Sequence, residues 1–321
     1  METNEPYEPN EPNEPNEPNE PNEPNEPNEP NEPNEPNEPN EPNEPNEPNE
    51  PYTPVPPIPP PTPTAIAPTA IAPTTSHPPG LTILPGTARR IVTDIIELRK
   101  NPLTDNGIYY EHDDECMMKG RAMIVGPTGT PYAHGYFLFE FTFPPDYPHS
   151  PPTVRSMTQD GETRFNPNMY KNGKVCISIL NTWAGEPWSG CQSISSVLLT
   201  LCTVLCDNPL TNEPGIRETS RDIEPYNDII RYRTIDRAIF RFLDIEQLPG
   251  QGYEVFHPAM IRLYGENRDS IGRIICSIEE KFPLIMSNDE SPNRWVRCNC
   301  KIFDMKCVMN YKKLRVKLSK H

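Results

Sequence analysis

The sequence predicts an α+β fold: an N-terminal helix, a four-stranded antiparallel meander, and then further helices. Three observations carry this. Residues 88–100 place apolar side chains at helical spacing. Four strand-like segments follow closely between residues 108 and 157, and such closeness favours antiparallel pairing. Beyond residue 193 the helical period returns. The chain divides accordingly into a tail over 1–86 expected to be disordered, a core domain over 87–245, and an extension over 246–321 to which the sequence assigns no role.

Residues 4–51 are an almost unbroken Asn-Glu-Pro repeat. Proline in every third position removes a backbone donor and excludes both helix and sheet ladder. The period matches polyproline II, which needs no internal hydrogen bonds. Without apolar side chains nothing offsets the entropy of ordering, so a charge-extended, disordered bristle is expected. Residues 52–80 stay rich in proline but turn apolar and neutral. The tail is a spacer, or a docking arm for a partner that reads proline-rich ligands.

Order is expected to begin near Thr87. Ile91, Ile95 and Leu98, with Val92 and Ile96 beside them, form a helical stripe that Asn101-Pro102 stops. The four strands are Ile108–Glu115, a polar edge; Arg121–Val125, ended by Gly126-Pro127; His134–Phe143, with Phe137, Phe139, Phe141 and Phe143 on one core-facing side; and Pro152–Met157. Four prolines between 144 and 151 make a rigid loop before the fourth strand. Ser193 is a plausible N-cap for a helix to Cys206 that buries Ile194, Val197, Leu198, Leu201, Val204 and Leu205. Cys202 and Cys206, at i and i+4, lack His or Asp partners and count as small buried hydrophobes. Residues 221–244 and Ser270–Phe282, the latter bounded by Pro283, are further amphipathic helices. Trp295–Lys317 has the look of a hairpin whose second arm is Tyr311–Leu318. Cys298, Cys300 and Cys307 there lack the second pair that a zinc site requires.

The net charge of −17 belongs to the tail: residues 1–88 hold 17 Glu and no Lys, Arg or Asp, leaving 29 acids and 29 bases beyond. The core therefore lacks the basic field of a nucleic-acid binder, and the tail repels nucleic acid and anionic membrane. Nine irregularly spaced cysteines fit a reducing compartment, cytosol or nucleus. Neither a secretory signal nor an apolar run of membrane-spanning length is visible.

The chemistry centres on Cys176. It follows the polar turn Lys171-Asn172-Gly173-Lys174, which predicts a more exposed thiol than a helix would give. Asn168 stands eight residues upstream in Asn166-Pro167-Asn168. An exposed thiol near amide donors suits acyl transfer, in which sulfur attacks and an amide steadies the oxyanion.

Four motifs in order resemble the ubiquitin-conjugating enzyme family over about residues 87–245. They are Phe143-Pro-Pro-Asp-Tyr-Pro-His-Ser-Pro-Pro152, Asn166-Pro167-Asn168 eight residues before Cys176, Trp188-Ser189-Gly190-Cys191, and Asn212-Glu-Pro-Gly215. Asn166 in place of the family's His, and the extra residues around Trp183, are similar to the large, Z-type branch. The resemblance implies a UBC fold and a thioester of ubiquitin, or a ubiquitin-like protein, on Cys176. It makes Asn168 the oxyanion or loop-holding residue and Glu213 an acidic gate for the incoming lysine, with Asn212 as the alternative. It makes Arg89, Arg90, Arg99 and Lys100 candidates for binding the activating enzyme. His149 and Trp188 fall at the two ligase-facing loops, where His149 replaces an apolar residue and Gly190 a proline. The partners implied are ubiquitin or a ubiquitin-like protein, the activating enzyme and a ubiquitin ligase, with no nucleic acid and no membrane. No metal or cofactor is implied, ATP being used by the activating enzyme. Three rivals remain: a cysteine deubiquitinase, which needs a His and an Asn or Asp around Cys176; a non-catalytic ubiquitin-binding adaptor; and a purely structural surface protein.

Overall fold

The structure, a computed structural model, describes residues 83–281 and 296–321, with the side chains of 296 and 297 left out. The repeat tail, the proline-rich stretch to residue 80, Trp295 and the Phe282-Pro283 stop lie outside the described residues.

Helix α1 spans Pro85–Lys100. Proline stands at its start, where a missing N–H costs nothing, and Arg99 and Lys100 in its last turn complement the helix dipole. Its buried line is Thr87, Ile91, Asp94 and Leu98, while Val92 and Ile96 are exposed.

Strands β1 (Ile108–His112), β2 (Lys119–Val125), β3 (Tyr136–Thr142) and β4 (Thr153–Ser156) pair antiparallel in chain order, as the spacing predicts. The register aligns Ile108, Ile124 and Phe137, then Tyr110, Ala122 and Phe139, then His112, Gly120 and Phe141. Gly120 leaves room for the Tyr110 ring, which a side chain there would displace. Phe137, Phe139, Phe141 and Phe143 are buried, each contributing about 1.5–3 kcal/mol through removal from water.

The opposite face of β3 is also closed: Tyr136 and Leu138, with Met123 of β2, are fully buried. The cover comes from the C-terminal extension. Tyr253 lies over the Arg121 guanidinium, and the Tyr136 hydroxyl donates to the Met260 carbonyl at 2.8 Å. Met260 belongs to α4 (His257–Lys281), which starts well before the predicted Ser270. Its first turns bury only Met260 and Tyr264, so the apolar period is faint there.

Helix α2 (Ile194–Thr203) carries the predicted cap: the Ser193 side chain accepts from Ser196 N, and Ser196 Oγ accepts from Ser193 N. Residues 221–244 are not one regular helix. α3 (Ile223–Arg233) runs into a π-helical turn at Thr234–Ile239, keeping Ile229, Tyr232, Ile239, Phe242 and Leu243 buried. The C-terminal hairpin differs from the expectation. Both strands, β5 (Val296–Cys300) and β6 (Met305–Met309), precede residue 311, and Tyr311–Lys320 is a helix, α5. The Asn310 side chain caps it by accepting from Lys313 N at 2.8 Å. Tyr311, Leu314 and Leu318 have helical spacing, which outweighs the apparent alternation.

Candidate active site

Residues 164–191 form an irregular stretch between β4 and α2. At residues 170–174 a flap turns back on itself. Gly173, at φ +88°, supplies the left-handed residue, and its carbonyl accepts from Ser156 N at 2.8 Å. This pins the flap to the end of β4 and delivers the chain to Cys176.

Asn168 and Cys176 clamp one another. Cys176 N donates to Asn168 O at 2.8 Å, and Asn168 Nδ2 donates to Cys176 O at 2.7 Å. The Asn168 amide is therefore committed to the loop backbone in this state. Its Oδ1 is buried without a partner. Asn166 is fully buried: Nδ2 donates to the Tyr132 hydroxyl at 2.9 Å and to Val204 O at 2.7 Å, while Oδ1 accepts from Asn168 N at 2.9 Å. Burial pushes the Tyr132 hydroxyl well above its ordinary range, so it stays protonated and donates to Phe165 O at 2.7 Å.

The polar turn misleads about exposure: Cys176 is only 3% exposed, because its backbone is drawn in by Asn168. Burial alone does not mark the reactive thiol. Cys298, Cys300 and Cys307 are buried as well, and burial pushes them up to about 12, 12 and 11, a range in which a thiol is inert at neutral pH. A groove of ≈ 410 Å³ flanks the flap, lined by Pro152, Arg155, Lys174, Val175, Leu180 and Thr182 among others. Among the described residues no histidine ring is hydrogen-bonded to Cys176. The rings of His112, His134 and His257 bond elsewhere, and His149 sits exposed on the proline loop.

Glu213 follows a short 3₁₀ turn at Pro209–Asn212. Its Oε2 is 3.6 Å from an Arg164 Nη2 that also donates to Pro167 O at 2.5 Å. Arg164 thus links the acidic residue to the Asn166–Asn168 segment. Asn212 Nδ2 is buried without a partner, as are Glu213 Oε2 and Arg164 Nε in hydrogen-bond terms.

The partner-binding candidates separate. Arg89, Arg99 and Lys100 are exposed on α1. Arg90 is engaged internally: Nε pairs with Asp94 at 2.8 Å, Nη1 donates to Gly190 O at 2.7 Å and Nη2 to Gln192 O at 2.5 Å. Asp94, buried, also accepts from the Tyr147 hydroxyl at 2.5 Å and from Ile194 N at 3.3 Å, tying α1 to the proline loop and to the start of α2. Trp188 is buried too. Its indole N–H donates to Pro148 O at 2.8 Å and its backbone N–H to the Asn181 side chain at 2.7 Å, so it joins the two loops from within. His149 and Gly190 are exposed there, as are Ser189 and Cys191. Tyr132, Asp94, Tyr147 and Arg164 were not anticipated; only Arg164, four residues before Asn168, had a positional signal.

Comparisons with known proteins agree with this geometry. The family model described as "Ubiquitin-conjugating enzyme" matches residues 90–231. Ubiquitin-conjugating enzyme E2 Z of Xenopus tropicalis is 47% identical over 158 residues, covering 48% of this chain and 50% of that protein. The Homo sapiens E2 Z is 48% identical over 153 residues, covering 47% and 43%. The human dual E2 ubiquitin-conjugating enzyme/E3 ubiquitin-protein ligase BIRC6 is 38% identical over 168 residues, which is 47% of this chain and 3% of that protein. The chain thus spans half or less of the length of these relatives. The matched region, residues 90–231, is similar to the ubiquitin-conjugating enzyme domain, and it contains the meander, the Asn168–Cys176 clamp and Glu213.

Proposed function

We propose that the protein accepts ubiquitin, or a ubiquitin-like protein, from an activating enzyme as a thioester on Cys176 and passes it to a lysine amine. The observation that carries this is the mutual Asn168–Cys176 clamp inside the matched domain. In the first step the Cys176 sulfur attacks the donor's thioester carbonyl. A C–S bond forms to Cys176, and the activating enzyme's thiolate leaves. One thioester replaces another, so no ATP, metal or cofactor is needed here. In the second step a lysine nitrogen attacks, a C–N bond forms, the C–S bond breaks and Cys176 leaves as thiolate. The amine's proton passes to Glu213 or to water. A dedicated His base is dispensable, since thiolate is intrinsically nucleophilic.

In this reading Asn168 holds the loop through Cys176 O. Arg89, Arg99 and Lys100 offer exposed cations for the activating enzyme, and His149 with Gly190 forms the ligase-facing tip. An intracellular, reducing compartment belongs to the same reading, because the carrier thiol must be free. The absence of a histidine ring bonded to Cys176 among the described residues weighs against the deubiquitinase.

The test is charging: activating enzyme, ATP and ubiquitin should give one reductant-sensitive adduct. Cys176→Ala should abolish it. Cys176→Ser should form a slower adduct that survives reductant, because thiols do not cleave an oxyester. Undiminished charging of Cys176→Ala would overturn the assignment.

A further inference from the structure

The turn between β5 and β6 reaches back to the active-site stretch. Phe303 and Asp304 both have positive φ, +69° and +42°, although neither is glycine or asparagine. Bulky residues adopt this conformation only when the surroundings enforce it. Here the surroundings are the Arg164 side chain and the flap. The Arg164 guanidinium lies over both the Phe303 ring and the Tyr170 ring, 4.0 Å from each centroid. Lys171 Nζ donates to Phe303 O at 3.3 Å, and the Phe303 ring also meets Tyr226 edge-on at 6.1 Å. The held guanidinium in turn donates to Pro167 O, next to Asn168, and pairs with Glu213.

We propose that Phe303 is a positioning residue for transfer to lysine: with Tyr170 it fixes the Arg164 guanidinium, which orients Glu213. The inference rests on the thioester reading above. A flexible arginine paired with Glu213 would let the carboxylate wander. A guanidinium held against two rings keeps its plane, so the ion pair and the bond to Pro167 O acquire a fixed direction. Holding a group that meets the reacting amine matters most when that amine is being aligned and deprotonated. It matters less for the thioester exchange, which uses no general base. The backbone of Arg164 has an anchor of its own apart from the side chain, since its carbonyl accepts from the Tyr226 hydroxyl at 2.9 Å. Loss of the Phe303 ring should therefore free the guanidinium without unravelling the stretch.

The experiment uses the full chain, charged once with ubiquitin and then mixed with free lysine over a range of concentrations. Phe303→Ala should slow lysine discharge about five- to tenfold and charging less than about twofold. Phe303→Tyr, which keeps the aromatic face, should restore discharge; Phe303→Leu, which keeps only bulk, should not. The double variant Phe303→Ala/Glu213→Gln should be no slower than Glu213→Gln alone, because both act along one route. Multiplicative effects, equal losses in both steps, or Leu serving as well as Tyr would overturn the proposal and leave Phe303 as packing. If Phe303→Ala fails to fold, the Tyr and Leu variants carry the comparison. A parent chain that never charges on Cys176 would instead remove the underlying reading.

Discussion

Two buried polar clusters flank the same loop, and they are built differently. Around Asp94 both carboxylate oxygens have partners, from Arg90, the Tyr147 hydroxyl and Ile194 N, while Arg90 spends its other nitrogens on Gly190 O and Gln192 O. Around Asn168 and Arg164 the bonding is less complete: Asn168 Oδ1 and Asn212 Nδ2 have no hydrogen-bond partner among the described residues, and Glu213 meets Arg164 only at 3.6 Å. The first cluster is a fastener. The second keeps hydrogen-bonding capacity in reserve, where the proposed chemistry takes place.

The largest expected effect separates the clusters directly. Asp94→Ala leaves the Arg90 cation without its carboxylate, and should lower stability by about 3–5 kcal/mol in denaturant titration. Its charging and discharge rates per folded molecule should change little. Asn168→Ala should do the reverse: discharge to lysine slows by about tenfold or more while the denaturant midpoint shifts modestly. If Asn168→Ala unfolds the protein and Asp94→Ala chiefly slows discharge, the distinction collapses.

A smaller effect distinguishes members of the open cluster. Glu213→Ala should slow lysine discharge near neutrality, and the deficit should shrink as pH rises toward 9.5, since more free amine then needs no carboxylate. The Asn168→Ala deficit should stay constant across that range, because an amide does not titrate. Single-turnover discharge at stepped pH measures both. Parallel profiles would merge the two roles, and Asn212→Ala behaving as expected for Glu213 would move the gate by one residue.

The smallest effect concerns the hairpin thiols. Burial raises Cys298, Cys300 and Cys307 above their ordinary value of 9.0, so the folded state holds these protons more tightly than the unfolded chain. Their contribution is fully present below pH 9 and is lost as pH rises from about 9 toward about 12. Melting temperature followed over that interval should fall less for Cys298→Ala than for the parent. An unchanged pH dependence would show that these thiols are not coupled to folding.

How much of this was legible in the sequence depended on range. The phenylalanine alternation of β3, the Ser193 cap and the eight-residue step from Asn168 to Cys176 are local, and each appears as expected. The closure of the face that bears Tyr136 was not legible, because its hydroxyl bonds to Met260, more than a hundred residues on. Tyr311–Leu318 misled because four of its eight residues are charged, leaving too few apolar positions to tell period 2 from period 3.6 until the Asn310 cap is seen. Phe303 lies 127 positions from Cys176, and no spacing rule reaches that far.

The closed outer face of the sheet also sets a timetable. Tyr136 is translated 124 residues ahead of Met260, whose carbonyl accepts from its hydroxyl. At about 5–20 residues per second, the ribosome needs roughly 6–25 s to supply that cover. Throughout this interval the nascent meander presents an apolar sheet face to the cell. The four strands and α2 can assemble early, but the molecule completes its burial only when the last quarter of the chain has emerged. Truncations before Met260 should therefore be cleared by chaperones and proteases even though the cysteine loop itself is intact, whereas a stop beyond α4 should leave this cover in place.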